Sequence, residues 1–163
     1  MIYVGIDPGY DGAISAINSD GDIVFLEDMP VISDGKKRHY NTVAMADMLR
    51  SLVVMDGGKV HAMLERSQPM PKQGVTSTLK IGIGYGVWLG IFAGLMIPYA
   101  TVRPHEWVKT VLAGLPGKGK ERSILWVSQN FPEAELIPEK CRKPRDGRAD
   151  AICLAKYAQM VVV

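Results

Sequence analysis

Asp7 closes an apolar run, Ile2 to Ile6, and is followed by the turn formers Pro8 and Gly9. Such a run reads as a buried strand stopped by a turn. An acid in that position, taken alone, most often shapes the turn. Glu65 repeats the setting, directly after Val60-His61-Ala62-Met63-Leu64. Two acids on strands that pair side by side put negative charge at the rim of a sheet, a common place for binding sites in mixed α/β folds. Asp146 and Asp150 are one helical turn apart and share a face. A helix N-terminus accounts for Asp146. Asp150 is followed at once by Ala151-Ile152-Cys153-Leu154-Ala155, so it lies near a core, where an acid needs a basic group or a metal. Converging carboxylates repel one another unless cations neutralise them. All-oxygen ligand sets suit hard ions such as Mg²⁺ or Mn²⁺. Two such ions, about 3.5–4 Å apart, can activate a water and stabilise the leaving oxygen of a phosphodiester. Metal-dependent phosphodiester hydrolysis is the chemistry these four residues suit.

The elements that position them follow from hydrophobic pattern and punctuation. Ile2 to Ile6 and Ala13 to Ile17 read as strands, and Asn18-Ser19-Asp20-Gly21 turns the chain into a third, Asp22 to Leu26. Met29 to Tyr40 mixes Pro, Gly, Ser and basic residues and reads as a loop. Asn41 caps a helix carrying Val43, Ala44, Met45, Met48, Leu49 and Leu52, which ends before Gly57-Gly58. Val60 to Leu64 is a further buried strand, and a helix follows from about Val75 to Gly94. The apolar stretch Ile81 to Ala100 has the length of a membrane span, yet its repeated glycines and Pro98 indicate a helix and then a strand, Ile97 to Val102. Pro104 opens a short helix through Trp107 and Val111. Gly114 to Gly119 is a loop, Lys120 to Asn130 a helix, and Pro132 to Pro144 a long charged connection. The last helix runs from near Asp146 to about Met160. Three strands followed by alternating helices and strands predict a mixed sheet with helices on its faces. The 163 residues fit one domain, with no repeat or low-complexity tract.

Charge is informative through its distribution, since the net value is only +2. Basic residues cluster at Lys36-Lys37-Arg38, at Lys118 to Arg122 and from Lys140 to Arg148. Two of these clusters adjoin the acidic positions, which favours a polyanionic partner. Lys118, Arg122, Arg145 and Arg148 are the expected contacts with that partner. Cys141 and Cys153 make neither a disulfide framework nor a zinc site, and Cys153 reads as a small buried hydrophobe. The chain starts without a charged signal-peptide n-region, and Asp7 interrupts the apolar start, so a cytoplasmic protein with no membrane partner is expected.

The acidic motifs together resemble a known family. Gly5-Ile6-Asp7-Pro8-Gly9 resembles the opening strand of RuvC-type Holliday-junction resolvases, Leu64-Glu65-Arg66 their second acidic strand, and Asp146-Gly147-Arg148-Ala149-Asp150-Ala151 their C-terminal acidic helix. The ordered set covers almost the whole chain. The resemblance implies an α/β, ribonuclease H-like fold: a mixed five-stranded sheet flanked by helices on both faces. It implies a homodimeric, metal-dependent endonuclease that makes paired symmetric nicks in four-way DNA junctions. Asp7, Glu65, Asp146 and Asp150 would hold two Mg²⁺ ions per site, with Mn²⁺ able to substitute. Lys109 and Lys120 resemble the family's two basic positions near the scissile phosphate. Two departures stand out. Bacterial members usually place the last two acids three residues apart, whereas the four-residue spacing here is closer to phage-type and chloroplast members. The aromatic wedge that bacterial members carry after the glutamate is absent from Arg66-Ser67-Gln68-Pro69-Met70. Gly82, Gly86, Gly90 and Ala93 form a small-residue stripe suited to a partner helix or to the chain's own sheet. Trp88 and Phe92 suit core or interface.

Three other functions share some of these features. An actin-like or sugar-kinase ATPase also carries a Gly-x-Asp-x-Gly turn, but needs two such domains to enclose nucleotide and shows no Walker-type loop here. A ribonuclease H-like nuclease acting on structured RNA or other branched DNA would keep the same acids. A non-catalytic nucleic-acid module would not retain four acids beside a phosphate backbone.

Overall fold

The computed structural model describes all residues except 36, 67–73, 118, 120, 140 and 163. Strands β1 (Ile2–Ile6), β2 (Ala13–Ile17) and β3 (Ile23–Asp28) form an antiparallel run. After a small hairpin, β4 (Val31–Ser33) and β5 (Arg38–Tyr40), comes helix α1 (Thr42–Met55). Strand β6 (Val60–Glu65) then pairs parallel to β1, and β7 (Tyr99–Val102) parallel to β6, on the far side of helix α2 (Val75–Leu95). Helices α3 (Pro104–Val111), α4 (Glu121–Asn130) and α5 (Asp146–Val161) complete the described elements. The main sheet has the order β3-β2-β1-β6-β7, the expected mixed five-stranded sheet.

Strand alternation divides the core into two layers. Ile2, Val4 and Ile6 of β1, with Ala62 and Leu64 of β6, pack against Met45, Leu49 and Leu52 of α1 and Trp88 and Phe92 of α2. On the other face, Met63 of β6 packs with Trp107 of α3, Val127 of α4 and Ile152 and Leu154 of α5. Helix α1 starts as its sequence predicts, with the Asn41 side chain accepting the Ala44 N–H at 3.2 Å. Cys153 is fully buried, and burial pushes its thiol upward, with the negative charge of Asp150 adding to the effect.

One sequence expectation differs from the structure, and one open alternative is closed by it. The segment Met29 to Tyr40 is not a plain loop. It carries the β4–β5 hairpin, turned at Asp34 and at Gly35, whose φ of 94° suits glycine. Three-residue strands are too short to show an alternating pattern, and the surrounding Pro, Gly and basic residues mask them. The small-residue stripe of α2 does not pack on its own sheet. A Cβ at Gly82, Gly86 or Gly90 would meet nothing within 4 Å. The helix is long and apolar enough to cross a membrane by length and composition, but Gly84, Trp88 and Phe92 tie one side of it into the core. A Cβ at Gly84 would stand 2.4 Å from the Tyr40 hydroxyl, so this glycine is required by the close approach of β5.

Candidate active site

The two strand-end acids are brought together by register and by face. Ile6 pairs with Leu64, so Asp7 and Glu65 each stand one residue past the end of that matched pair. In β1 the residues Ile2, Val4 and Ile6 face α1 and α2, which turns the odd positions, and Asp7 after them, toward α5. Alternation in β6 does the same for Glu65, two residues after Met63 in the α5 layer. Asp7 is shaped by its own turn: its Oδ1 accepts the Gly9 N–H at 3.1 Å, and its N–H donates to the Ala13 carbonyl at 3.1 Å. The turn is tight because Gly12 lies on it; a Cβ there would stand 2.2 Å from the Asp7 carbonyl oxygen.

Helix α5 lies directly on this rim. A Cβ at Gly5 would stand 2.2 Å from the Ala151 carbonyl oxygen and 2.2 Å from the Ala155 nitrogen, so only glycine in β1 lets the helix backbone come so near. At the start of the helix, a Cβ at Gly147 would stand 2.3 Å from the Asp11 carbonyl oxygen. These two contacts seat Asp146 and Asp150 beside the turn that carries Asp7. Asp150 and Glu65 line one open cavity of about 290 Å³, together with Pro104, Trp107, Val108, Leu112, Gly119, Arg122 and Ser123. Asp7, Glu65, Asp146 and Asp150 are each partly buried, between core and solvent.

The donor set is oxygen only, as hard divalent cations require. Among the described residues, no three or more His, Cys, Asp or Glu side chains are drawn into a metal-holding cluster. The residue types suit a divalent cation, and Glu65 and Asp150 line one open cavity where such an ion would be reached from solvent.

The basic positions divide. Lys109 is exposed in the last turn of α3. Lys118 and Lys120 lie outside the described residues. Arg122 is half-buried and donates through Nη2 to the Leu112 carbonyl at 2.5 Å, closing the end of α3. Arg145 is 39% exposed and lies 3.4 Å from Asp28; its side-chain hydrogen bond with Cys141, and then Asp28, hold its guanidinium above the usual range. Arg148 is turned inward. Only 5% of it is exposed, its Nε donates to Asp28 Oδ1 at 2.7 Å and its Nη1 to the Glu135 carbonyl at 2.7 Å. The sequence places Arg148 in a basic run, which suggests a surface cation. The helical phase instead points it away from Asp146 and Asp150 and into the β3 side of the protein.

Sequence reasoning did not single out two neighbours of the acids. The Trp107 indole N–H donates to Glu65 Oε1 at 2.7 Å. The Tyr40 hydroxyl donates to the Pro8 carbonyl at 2.9 Å and is pushed up to about 12, by burial first and then by nearby Tyr10 and Asp7. Tyr40 also packs on Tyr10, with ring centres 4.4 Å apart, and Arg38 lies 5.0 Å from the Tyr10 ring centre and 2.8 Å from Asp11. A tryptophan two residues before a basic position was the only available hint of the first. The second depends on the β4–β5 hairpin, which has no clear sequence signal.

No protein-family model and no curated protein sequence matches the chain. Solved structures do. The chain is similar to Thermus thermophilus RuvC, with a TM-score of 0.62 and 18% identity over 98% of this chain and 96% of that one. It is similar to the same protein in complex with Holliday junction substrate, with a TM-score of 0.65 and 19% identity over 98% and 96% of the two chains. The yeast mitochondrial Holliday junction resolvase Ydc2 matches with a TM-score of 0.56 and 14% identity, over 96% of this chain and 76% of that one. The fold is that of the RuvC-like resolvases, a ribonuclease H-like mixed sheet with helices on both faces.

Proposed function

We propose that the chain is a structure-selective DNA endonuclease that resolves four-way junctions by metal-dependent phosphodiester hydrolysis. Fold alone does not fix an activity. The observation that carries this reading is the placement of Asp7 and Glu65 at the matched ends of paired parallel strands, under helix α5 seated on Gly5, with Asp150 of that helix lining the same cavity as Glu65. The likeness to a resolvase structure holding its junction substrate points the same way.

In this reading Asp7, Glu65, Asp146 and Asp150 hold two Mg²⁺ ions, with Mn²⁺ as a substitute. Bound divalent cations supply Lewis-acid charge neutralisation at the phosphate and an acidified water for hydrolysis. The chain itself positions the acids, through Gly5, Gly12 and Gly147, and excludes bulk water from their inner side with the Met63–Trp107–Ile152 layer. Exposed Lys109, with Lys118, Lys120 and Arg145, supplies the positive charge that steers and steadies the phosphate backbone. Arg122, tied to α3 through Leu112, lines the cavity with Glu65 and Asp150 and stays a candidate contact, whereas Arg148 is buried against Asp28 and serves the fold. The chain acts as a homodimer, because symmetric resolution requires two coordinated cuts. The outward stripe of Gly82, Gly86 and Gly90 on α2, flanked by exposed Leu79 and Ile83, is the surface that suits a second copy.

The test is incubation with a labelled immobile four-way junction and a matched linear duplex, in Mg²⁺, Mn²⁺ or EDTA, beside an Asp7→Asn variant. Paired nicks in the junction alone, lost in EDTA and in the variant, are the expected result. Cleavage of both substrates would retain the nuclease and remove junction selectivity. No cleavage with either metal would overturn the proposal, and RNA substrates would be tried next.

A further inference from the structure

Glu65 is the last residue of β6, and the chain returns to it after helix α2. β7 ends beside it, with Glu65 opposite Val102 and the Arg66 N–H donating to the Val102 carbonyl at 2.7 Å. Helix α3 begins two residues later, at Pro104. Its first turn is closed by the Glu106 carboxylate, which accepts the Arg103 N–H at 2.8 Å. A helix fixed at that point by Pro and a cap carries Trp107 back over the end of β6. The indole is 3% exposed, packed with Met63, Val102 and Val111, so its ring has no room to turn away. Its N–H meets Glu65 Oε1 at 2.7 Å, a short bond to a carboxylate.

We propose that Trp107 is a positioning residue for Glu65, fixing the carboxylate so that it meets a divalent cation in one orientation. The proposal rests on the reading of Glu65 as a metal ligand. Indole suits the task because it is a donor only and carries no charge. A lysine or arginine at the same place would also fix the carboxylate, but would neutralise the charge that attracts the cation. A glutamate has one more rotatable bond than an aspartate, so it gains more from an external constraint. Outer partners of this kind typically change metal affinity about 10–100-fold when removed.

The test measures Mn²⁺ binding to the DNA-free, full-length protein by calorimetry, in the parent, Trp107→Phe and Glu65→Gln. Trp107→Phe is expected to weaken Mn²⁺ binding about ten-fold. A chain carrying benzothienylalanine at 107, which keeps the ring shape and replaces N–H with sulfur, should weaken it equally and also serves if the Phe variant does not fold. Indole N–H resonances are followed alongside in a Mg²⁺ titration. The one absent from Trp107→Phe should shift in the parent and not in Glu65→Gln. Unchanged Mn²⁺ affinity in Glu65→Gln would overturn the acidic centre and, with it, this proposal. Weakened binding in Glu65→Gln with parental affinity in the benzothienylalanine chain would overturn the role of Trp107 alone.

Discussion

Gly147, in the first turn of α5, is pressed against the carbonyl of Asp11, so that a Cβ on it would stand 2.3 Å from that oxygen and 2.8 Å from the Gly12 Cα. Both neighbours are backbone and belong to the turn that holds Asp7, so neither can swing aside. Gly147→Ala must therefore lift the start of α5 away from the acid-bearing turn. Such overpacking costs about 1–3 kcal/mol, partly offset by the better helix propensity of alanine. The expected outcome is a modestly lower unfolding midpoint and a much larger loss of junction cleavage, measured on protein confirmed to be folded. Parental cleavage would show that the Asp146 and Asp150 end of α5 need not sit where it does.

Arg148 offers the opposite case, a basic residue whose removal should leave DNA binding untouched. It ties α5 to Asp28 at the end of β3 and to the Glu135 carbonyl, its own side chain almost closed to water while Asp28 stays about a third exposed. Arg148→Ala leaves Asp28 with Arg145 at 3.4 Å, so the acid is not orphaned. The loss is then about 2 kcal/mol, below that of a fully buried pair. Urea unfolding should show this decrease, while junction affinity at a concentration of folded protein matched to the parent stays the same. Lys109→Ala should do the reverse, lowering affinity and its salt dependence by roughly one phosphate contact, with little effect on stability.

Most of the architecture was legible because it depends on long apolar runs. The runs of β1, β2 and β6 and the caps around α1 carry their own punctuation, and the acids end strands that alternation can place on a face. What was not legible depends on contacts between distant segments. Arg148 and Asp28 are 120 residues apart, and nothing in a basic run tells an inward arginine from an outward one except the phase of a helix whose neighbours are unknown. The glycines show the same limit. Gly5 and Gly147 are required by close backbone approach, whereas Gly82, Gly86 and Gly90 face open space, yet all five look alike in a sequence. The β4–β5 hairpin was hidden because three-residue strands have no measurable period.

Tyr40 links that hairpin to the acid-bearing turn, and its titration offers a check on the link. Burial, aided by Tyr10 and Asp7, raises its hydroxyl to about 12 from the usual 10, and Arg38 opposes the shift. A raised folded value means that the neutral hydroxyl, donating to Pro8, is the favoured form. Its stabilisation is complete below pH 10 and declines between pH 10 and about 12, as the unfolded state ionises first. Tyr40→Phe should cost about 1 kcal/mol at neutral pH. It should also flatten the alkaline fall in stability when denaturant midpoints are compared across pH 8 to 12. An equally steep fall in the variant would mean that other groups govern the alkaline limb.

The exposed stripe on α2 gives a prediction in which two physical effects have opposite signs. Gly86 has no neighbour within 4 Å, so Gly86→Glu meets no steric obstacle within its own chain. Replacing an interior helical glycine also raises helix propensity, by about 0.5–1 kcal/mol. For an isolated chain the variant is therefore expected to be slightly more stable than the parent. If two copies meet along this stripe, the same substitution buries an unpaired charge between closely spaced backbones, at a cost of several kcal/mol. Sedimentation should then show a parent dimer and a monomeric variant. The parent's unfolding temperature should rise with protein concentration, and that of the variant should not. The variant should retain Mn²⁺ binding, since Gly86 is on the α1–α2 side of the sheet and the acids face α5. Paired cutting should give way to slow, single nicks. A variant that sediments with the parent would place the contact between copies elsewhere and leave the stripe without a role in assembly.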